Sequence, residues 1–258
     1  MKKFTLLLSF VLIATFNSPG QIPLPPVAGD GSESNPYEIA LLENLLWLSQ
    51  NTTEWSAHFI QTADIDAINT QSMNGGAGFI PIGNSNSQFT GSYNGNGFHI
   101  SNLYISRPTT DRIGLFGNTD GAILENIAIV NASITGAESV GGLVGVANNS
   151  IINSCYTKGS ISSPSYYGRI GGLAGYVKSS TISNCYSFAS VTGTRSGGTR
   201  TLGGLVGYIY TGEINNSYST GLVSGGLEYV GGLVGYQVSS PANNCFWDTE
   251  TSNQETSR

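Results

Sequence analysis

The chain has little charge, few histidines and few cysteines, and these shortages exclude several classes of protein. Only 10% of its 258 residues are charged, against roughly 25% in an average globular chain. Asp and Glu outnumber Lys and Arg by 16 to 10, and this acidic balance argues against binding to nucleic acid or anionic lipid. Hydrophobic residues still make up 39%, too many for a disordered chain. The abundance of glycine, serine, threonine and asparagine predicts an all-β protein with many turns.

Long hydrophobic runs are also missing. The apolar run Phe4–Phe16 has 13 residues, fewer than the ~20 that a membrane-spanning helix needs. It follows Lys2 and Lys3 and precedes the small residues NSPGQ, which is the order of a secretory signal. We therefore predict a signal peptide at 1–20, no transmembrane segment and a secreted or surface location. The Pro/Gly/Ser-rich residues 21–35 are predicted to form a linker without a fold.

One glycine-rich phrase is written four times, as VGGLVGV, IGGLAGY, LGGLVGY and VGGLVGY, with a shorter echo, IGLFG. Its shared glycine recurs 28, 30, 32 and 28 residues apart, at Gly114, Gly142, Gly172, Gly204 and Gly232. The segment from this glycine to the thirteenth residue after it keeps a constant length, and all variation falls in the stretch that follows. This pattern predicts a fixed scaffold with a variable loop in each repeat.

The repeat length selects the architecture. Units of about 30 residues are shorter than the ~40–45 of a propeller blade, and their many Gly, Ser, Thr and Asn residues disfavour helical repeats. We predict a parallel β-solenoid, wound as a right-handed β-helix, with coils of 28–32 residues. Repeats are expected across 112–250, starting near 112, 140, 170, 202 and 230, followed by a tail at 251–258.

The residues before the repeats are predicted to close the N-terminal end of the solenoid. Residues 36–111 are expected to hold a cap and the first coils. Within them, the LLENLLWLS pattern at Leu41–Ser49 predicts a short amphipathic helix. Such a helix would cover the open core and the unpaired strand edge of the first coil.

Stacked coils place equivalent residues above one another at ~4.8 Å, so that identical residues form ladders. The expected structural residues are the repeated glycines and leucines, namely Gly142, Leu143, Gly145, Gly172, Leu173, Gly175, Gly204, Leu205, Gly207, Gly232, Leu233 and Gly235. A further ladder, whose side-chain amides would link along a turn, is expected from Asn184, Asn216 and Asn244.

The phrase GGLVGY, followed by I-x-N-C-Y and a Ser/Thr/Gly-rich stretch, resembles the GLUG motif of secreted and surface proteins of bacteria. The resemblance covers about 112–250, and residues 36–111 look like the segment that usually leads into such repeats. It implies an adhesin-like protein, although some relatives carry the motif beside an IgA-cleaving metalloprotease domain. The family has no established catalytic residues. The tail FWDTETSNQETSR departs from related chains, which often continue into more repeats or a sorting domain, and this indicates a truncated or minimal member.

Candidate catalytic residues are scarce. Known β-solenoid enzymes act on polysaccharides, and glycoside hydrolysis needs two carboxylates roughly 5–10 Å apart. Between residues 140 and 240 the carboxylates are Glu213 and Glu228, and neither has a counterpart in an adjacent repeat. His58 and His99 stand in no zinc-binding motif. We predict no catalytic residues, no metal and no cofactor. A polysaccharide-cleaving enzyme, with its site in 37–111 or in a variable loop, and a passive spacer remain alternatives.

Three cysteines, Cys155, Cys185 and Cys245, occupy one position of the repeat. On adjacent coils the Cβ atoms of Cys155 and Cys185 would lie ~4.8 Å apart, wider than the 3.5–4.5 Å that a disulfide prefers, and Ser217 separates Cys245 from both. The three are predicted to be buried thiols that pack as small hydrophobic side chains, with a disulfide as the alternative.

Two tyrosine columns are the remaining candidates for function: Tyr176, Tyr208 and Tyr236, and also Tyr156, Tyr186 and Tyr218. Alternation along the strands does not decide whether they face inward or outward, because a bulge at the flanking glycines would reverse the parity. They either pack in the core or turns, or form an exposed strip for a sugar or a protein.

The variable loops at 157–169 and 187–201 carry basic residues on an acidic protein, namely Lys158, Arg169, Arg195 and Arg200. These residues are candidates for contacting an anionic ligand. The sequence as a whole therefore predicts a monomeric, non-catalytic solenoid. It would serve adhesion, or would bind an extracellular glycan or protein, without a nucleic-acid partner.

Overall fold

The chain winds into a β-solenoid in which successive coils each add a strand to the same sheets. The computed structural model describes residues 21–195, 198–225 and 229–257, so the predicted signal peptide lies outside the described residues. The strands of neighbouring coils pair in parallel in all four sheets. The predicted all-β parallel solenoid is confirmed, whereas its right-handed winding stays a prediction.

We number the sheets I to IV in the order in which one coil visits them. Sheet I contains Ser139–Gly141, Arg169–Gly171, Thr201–Gly203 and Tyr229–Gly231. Sheet II contains Phe116–Asp120, Val144–Asn148, Ala174–Lys178, Val206–Tyr210 and Val234–Val238. Sheet III contains Tyr37–Ile39, His58–Gln61, Ser92–Asn94, Ile123–Glu125, Ile151–Asn153, Thr181–Ser183, Glu213–Asn215 and Ala242–Asn243.

Sheet IV is the largest and contains Ile65–Asp66, His99–Ser101, Tyr104–Ser106, Ala128–Thr135, Tyr156–Ser163, Tyr186–Ser187, Ser190–Gly193, Tyr218–Ser219, Val223–Ser224 and Phe246–Trp247. Two α-helices, Leu42–Gln50 and Thr249–Ser252, and two 3₁₀ segments, Thr52–Glu54 and Ile68–Gly76, lie outside the sheets.

The coils are in the register that the repeat predicts. Ile152 pairs with Ile182, which pairs with Ile214. Backbone hydrogen bonds of 2.9–3.0 Å link Leu143 to Leu173, Leu173 to Leu205, and Leu205 to Leu233. These four leucines are buried in one continuous core. Equivalent side chains therefore stack above one another along the direction of the solenoid axis, and the predicted leucine ladder is present.

The repeated glycines are needed because the backbones of neighbouring coils approach closely. A Cβ on Gly172 would lie 2.3 Å from the carbonyl oxygen of Gly204, and one on Gly145 would lie 2.5 Å from the backbone nitrogen of Ile113. Contacts this short are sterically forbidden. These two glycines have no left-handed backbone, so what the repeat requires there is the absence of a side chain.

The asparagine position has a second function that the sequence pattern did not show. Asn184, Asn216 and Asn244 all adopt a left-handed backbone, with φ of 48–56°, which asparagine tolerates better than other side chains. Their amides also bond along the turn, because Asn244 donates to Asn216 at 3.2 Å and Asn216 donates to Asn184 at 3.4 Å. Asparagine at this position thus adopts the left-handed backbone that the turn requires and also hydrogen-bonds to the neighbouring coil.

The predicted N-terminal helix is present at Leu42–Gln50, and its leucines Leu42, Leu45, Leu46 and Leu48 are buried in the core. Residues 21–35, predicted to form a linker without a fold, lie against this helix. The backbone N–H of Leu24 donates to Glu43 at 3.0 Å, and the Asn44 side chain donates back to Leu24 at 3.1 Å. The helix gives the preceding segment hydrogen-bond partners, and the two pack together. The described residues include no helix with the length and apolarity to cross a membrane.

The tail covers the strand edge of the last coil. The backbone N–H of Gly232 donates to Thr256 at 3.0 Å, and that of Val234 donates to the Ser257 hydroxyl at 2.9 Å. The Trp247 indole also donates to Gln254 at 3.1 Å. Donors that would otherwise lie on an open edge are therefore satisfied by the chain itself.

The three cysteines are free thiols. Cys155 and Cys185 are fully buried, as predicted, and the backbone N–H of Cys155 donates to the Cys185 sulfur at 3.4 Å. Cys245 differs from the prediction because it is only half-buried, on the last coil that the structure describes.

This difference predicts a graded reaction with iodoacetamide at pH 8. Burial raises the pKa of the Cys155 thiol well above its ordinary value and also raises that of Cys245, so both thiols are mainly protonated, and the thiolate is the nucleophile. Access separates them, because Cys155 is closed to solvent whereas Cys245 is partly exposed. We expect Cys245 to be alkylated first, with Cys155 and Cys185 protected until the chain is unfolded. Peptide mass spectrometry checks this order, and equal labelling of Cys155 and Cys245 under native conditions would contradict it.

Candidate functional site

The structure answers the question of the tyrosine columns, because both lie on the outside of the solenoid. On sheet II, Tyr176 lies between buried Gly175 and buried Val177, while its own side chain is partly exposed. On sheet IV, Tyr156 precedes buried Thr157 and is likewise partly exposed. The alternative of core packing is therefore wrong for both columns.

The sheet II column forms a ladder with a cation beside it. Ring centroids lie 5.2 Å apart for Tyr176 and Tyr208 and 5.5 Å apart for Tyr208 and Tyr236. The Arg169 guanidinium carbon lies 5.0 Å from the Tyr176 centroid and 5.9 Å from that of Tyr208, within range of a cation–π interaction. A tyrosine hydroxyl is neutral at pH 7, and partial burial raises the pKa of Tyr208 further, so this hydroxyl can both donate and accept a hydrogen bond.

A concave surface of about 300 Å³, here called the tyrosine cleft, opens beside this ladder. Its lining consists of Tyr167, Gly168, Arg169, Thr199, Thr201, Tyr208, Tyr229 and Tyr236. Tyr229 packs against Tyr236 with centroids 4.6 Å apart and ring planes inclined by 59°. Inclined rings leave faces open, so the cleft offers aromatic surface, hydroxyl groups and one cation in one place.

A larger cleft of about 380 Å³ continues along the same face and shares Arg169. Its charged lining residues are Asp111, Arg112, Glu138, Arg169 and Lys178. The backbone N–H of Glu138 donates to the Asp111 carboxylate at 3.2 Å. Two acidic residues that lie 27 residues apart in the chain thus line the same cleft, a pair that the search of the sequence missed.

The sheet IV column is more tightly stacked than the sheet II column. Tyr186 lies 4.7 Å from Tyr156 and 5.1 Å from Tyr218, with ring planes within 7° of parallel. Rings stacked in this way cover one another's faces. Exposure rises toward the C-terminal end, from 37% for Tyr218 to 69% for Phe246. This column is an aromatic strip, and a concavity of about 240 Å³ lined in part by Tyr218, Phe246 and Trp247 lies at its C-terminal end.

The four basic residues predicted to lie in the variable loops do not act together, and two of them, Lys158 and Arg169, lie on strands. Arg169 reaches the tyrosine cleft, but Lys158 is exposed on sheet IV, beyond Tyr156 on the same strand. Arg195 is exposed and packs over Tyr166, with 4.1 Å between guanidinium carbon and ring centroid. Arg200 is a correction: it is 0% exposed and donates to the Arg195 carbonyl oxygen, so it does not present its charge to a ligand.

Two residues of the cleft, Tyr167 and Tyr229, were not predicted. Tyr229 pairs in register with Thr201, which pairs with Arg169. Extending the repeat columns three residues upstream of the shared glycine would have found this position. Tyr167 lies in a variable loop, where repeat columns carry no information.

Comparison with known sequences supports the repeat. The GLUG motif model matches residues 166–192 and 198–224. Over 146 residues the chain is 40% identical to "Halomucin" of Haloquadratum walsbyi, an alignment that covers 54% of this chain and 2% of that protein. Over 131 residues it is 37% identical to "Putative Gly-rich membrane protein" of Evansella cellulosilytica, covering 49% of this chain and 14% of that protein. The chain therefore spans a small fraction of the length of either relative.

Comparison with solved structures supports the fold. The crystal structure of a "putative immunoglobulin A1 protease" from Bacteroides ovatus superposes with a TM-score of 0.50, covering 84% of this chain and 76% of that one. Sequence identity is 18%, so the likeness concerns the fold alone. The chain carries GLUG repeats wound into a parallel β-solenoid, an arrangement that fits a surface or secreted repeat protein.

Proposed function

We propose that this protein is exported to the outside of the cell, where it binds a glycan without cleaving it. The observation that carries the proposal is the tyrosine cleft, in which four outward tyrosines and Arg169 line one concavity. Retention of cells or polymers through this surface would make the protein an adhesin. The apolar run with basic residues at 1–20 supports export.

The chemistry of the cleft suits a sugar. A sugar ring has apolar C–H faces and a rim of hydroxyl groups. A tyrosine has an apolar ring with a polar tip, so the ring can pack on a C–H face of the sugar and the phenolic hydroxyl can hydrogen-bond to the sugar hydroxyl groups. Tyrosine also has few rotatable bonds, so ordering it on binding costs little entropy. Tyr208 and Tyr236 are further held by stacking within the ladder.

The size of the surface favours a glycan over a folded protein. The tyrosine cleft is a single concavity of about 300 Å³. Small-molecule sites are typically clefts of roughly 300–1,000 Å³ with a few polar groups on an apolar lining. The sheet IV strip is the surface that a protein partner would use instead.

A glycan array probed with the purified chain tests the proposal. For the glycan retained, we expect Tyr208→Ala to weaken binding by about tenfold or more, as loss of a central aromatic anchor commonly does. Tyr186→Ala is the matched control, because it removes one ring from the middle of the other ladder. If Tyr186→Ala abolished binding and Tyr208→Ala did not, the cleft would not be the site.

A polysaccharide-cleaving activity is a second candidate because Asp111 and Glu138 both line the larger cleft. A reducing-end assay on each retained glycan separates the two functions. Release of new ends that Asp111→Asn abolishes would establish the enzyme and overturn the non-catalytic proposal. Retention without new ends supports binding alone, and a chain that retains nothing would be a spacer.

A further inference from the structure

We infer that the tyrosine cleft selects acidic sugars, and that Arg169 binds the carboxylate of a uronic acid. This inference rests on the proposed function, because it names the class of glycan that the same site would take. Arg169 is one of the four basic residues that the sequence placed in variable loops, and in the structure it lies on a strand.

The position of Arg169 is fixed by its surroundings. Its strand, Arg169–Gly171, is the second of sheet I and pairs on both sides, with Ser139 and with Thr201. The guanidinium lies over two rings of the ladder, Tyr176 and Tyr208. A side chain held at both ends loses less conformational freedom when it binds a ligand.

The donors of this guanidinium are available. Cation–π contact engages the positive charge but leaves the five N–H donors of an arginine for other partners. In the part of the chain that the structure describes, the Arg169 side chain makes no hydrogen bond and no ion pair, and its guanidinium makes cation–π contacts with two tyrosine rings. The planar fork of a guanidinium matches a carboxylate with two parallel hydrogen bonds.

The charge of the surroundings favours an anion in the cleft. Among the described residues that line the tyrosine cleft, Arg169 alone carries a charge, and none has a carboxylate side chain. In the adjoining cleft, Arg112, Arg169 and Lys178 outnumber Asp111 and Glu138 by three to two. This face is therefore locally basic on a chain whose net charge is −6. A carboxylate bound elsewhere would meet a predominantly acidic surface.

The experiment compares oligogalacturonate with its methyl ester, which keeps the sugar ring and removes the charge. Isothermal titration with the full chain is expected to give at least about tenfold tighter binding of the acid. Arg169→Gln should lower affinity for the acid by a similar factor and leave affinity for the ester within about twofold. Arg169→Lys, which keeps the charge but loses the fork, should fall between them.

Lys178→Gln is the matched control, because Lys178 lines only the adjoining cleft, and we expect it to change affinity for the acid less than about twofold. Circular dichroism confirms that each variant is folded. Equal affinity for acid and ester, with no selective effect of Arg169→Gln, would overturn the inference and leave the proposed function standing. Selective binding of sulfated sugars, with no binding of the uronate, would also overturn it. Failure to bind any sugar on the array would end both proposals.

Discussion

Substitution of Gly207 by alanine is expected to lower the free energy of unfolding by about 3 kcal/mol, as severe overpacking does. The new Cβ would lie 2.5 Å from the backbone nitrogen of Ile170, 2.7 Å from the carbonyl oxygen of Gly175 and 2.8 Å from the carbonyl carbon of Arg169. All three atoms belong to the backbone of the preceding coil. Parallel pairing with the coils on both sides holds that backbone in place, so a side-chain rotation cannot relieve the clash.

Gly168→Ala is the control for this prediction. Its Cβ would meet side-chain atoms of Ile170 and Ser163 at 3.2 Å, and its backbone is not left-handed. A few tenths of an ångström of adjustment would accommodate it, and we expect a change within about 1 kcal/mol. Urea unfolding followed by circular dichroism measures both variants. If the two variants unfolded at the same urea concentration, close approach of backbones would not be the reason for the repeated glycine.

Leu205→Ala is the second change with a large expected effect. Leu205 is fully buried in the middle of the leucine ladder, between Leu173 and Leu233. Truncation removes buried methyl groups and leaves a cavity between coils whose backbone hydrogen bonds prevent collapse. Changes of this kind cost about 2–5 kcal/mol, a large part of the roughly 5–15 kcal/mol that stabilises a typical domain.

The matched control is Leu222→Ala, because Leu222 is 46% exposed in a loop of the same coil. We expect its effect to stay within about 0.5 kcal/mol, as is usual for surface positions. Differential scanning calorimetry distinguishes the two variants by their Tm. A loss of stability at Leu222 as large as that at Leu205 would show that the ladder is not the main source of cohesion.

The fold could be predicted from the sequence because a solenoid repeats the same contacts in every coil. The constant segment from Gly172 to Cys185 returns as Gly204 to Ser217, and the strands in it pair at the same 32-residue offset. Local sequence and tertiary contact therefore carry the same period, and counting residues is enough to pair the strands. The short helix was predictable for another reason, namely its own apolar spacing.

The candidate site could be predicted only in part. The repeat columns identified Tyr176, Tyr208 and Tyr236 as candidates, and the count of basic residues identified Arg169. Neither observation showed that the arginine lies beside the tyrosines. Arg200 was placed on the surface by its loop, yet it is buried beside the Arg195 carbonyl group. Loop residues fall outside the repeat, so the period says nothing about which of them turn inward.

By itself, the sequence determined the period, the parallel solenoid and the ladders of glycine, leucine and asparagine, since each of these follows from identical residues at fixed spacing. Only the tertiary structure decided that both tyrosine columns face solvent, that Tyr167 and Tyr229 complete a cleft around Arg169, and that Asp111 and Glu138 line the same cleft. The physical reason is that two features determine which way a side chain faces and where the surface is concave. These are the turns of the chain between strands and the packing of loops of unequal length against the strands, and neither follows the period of the repeat.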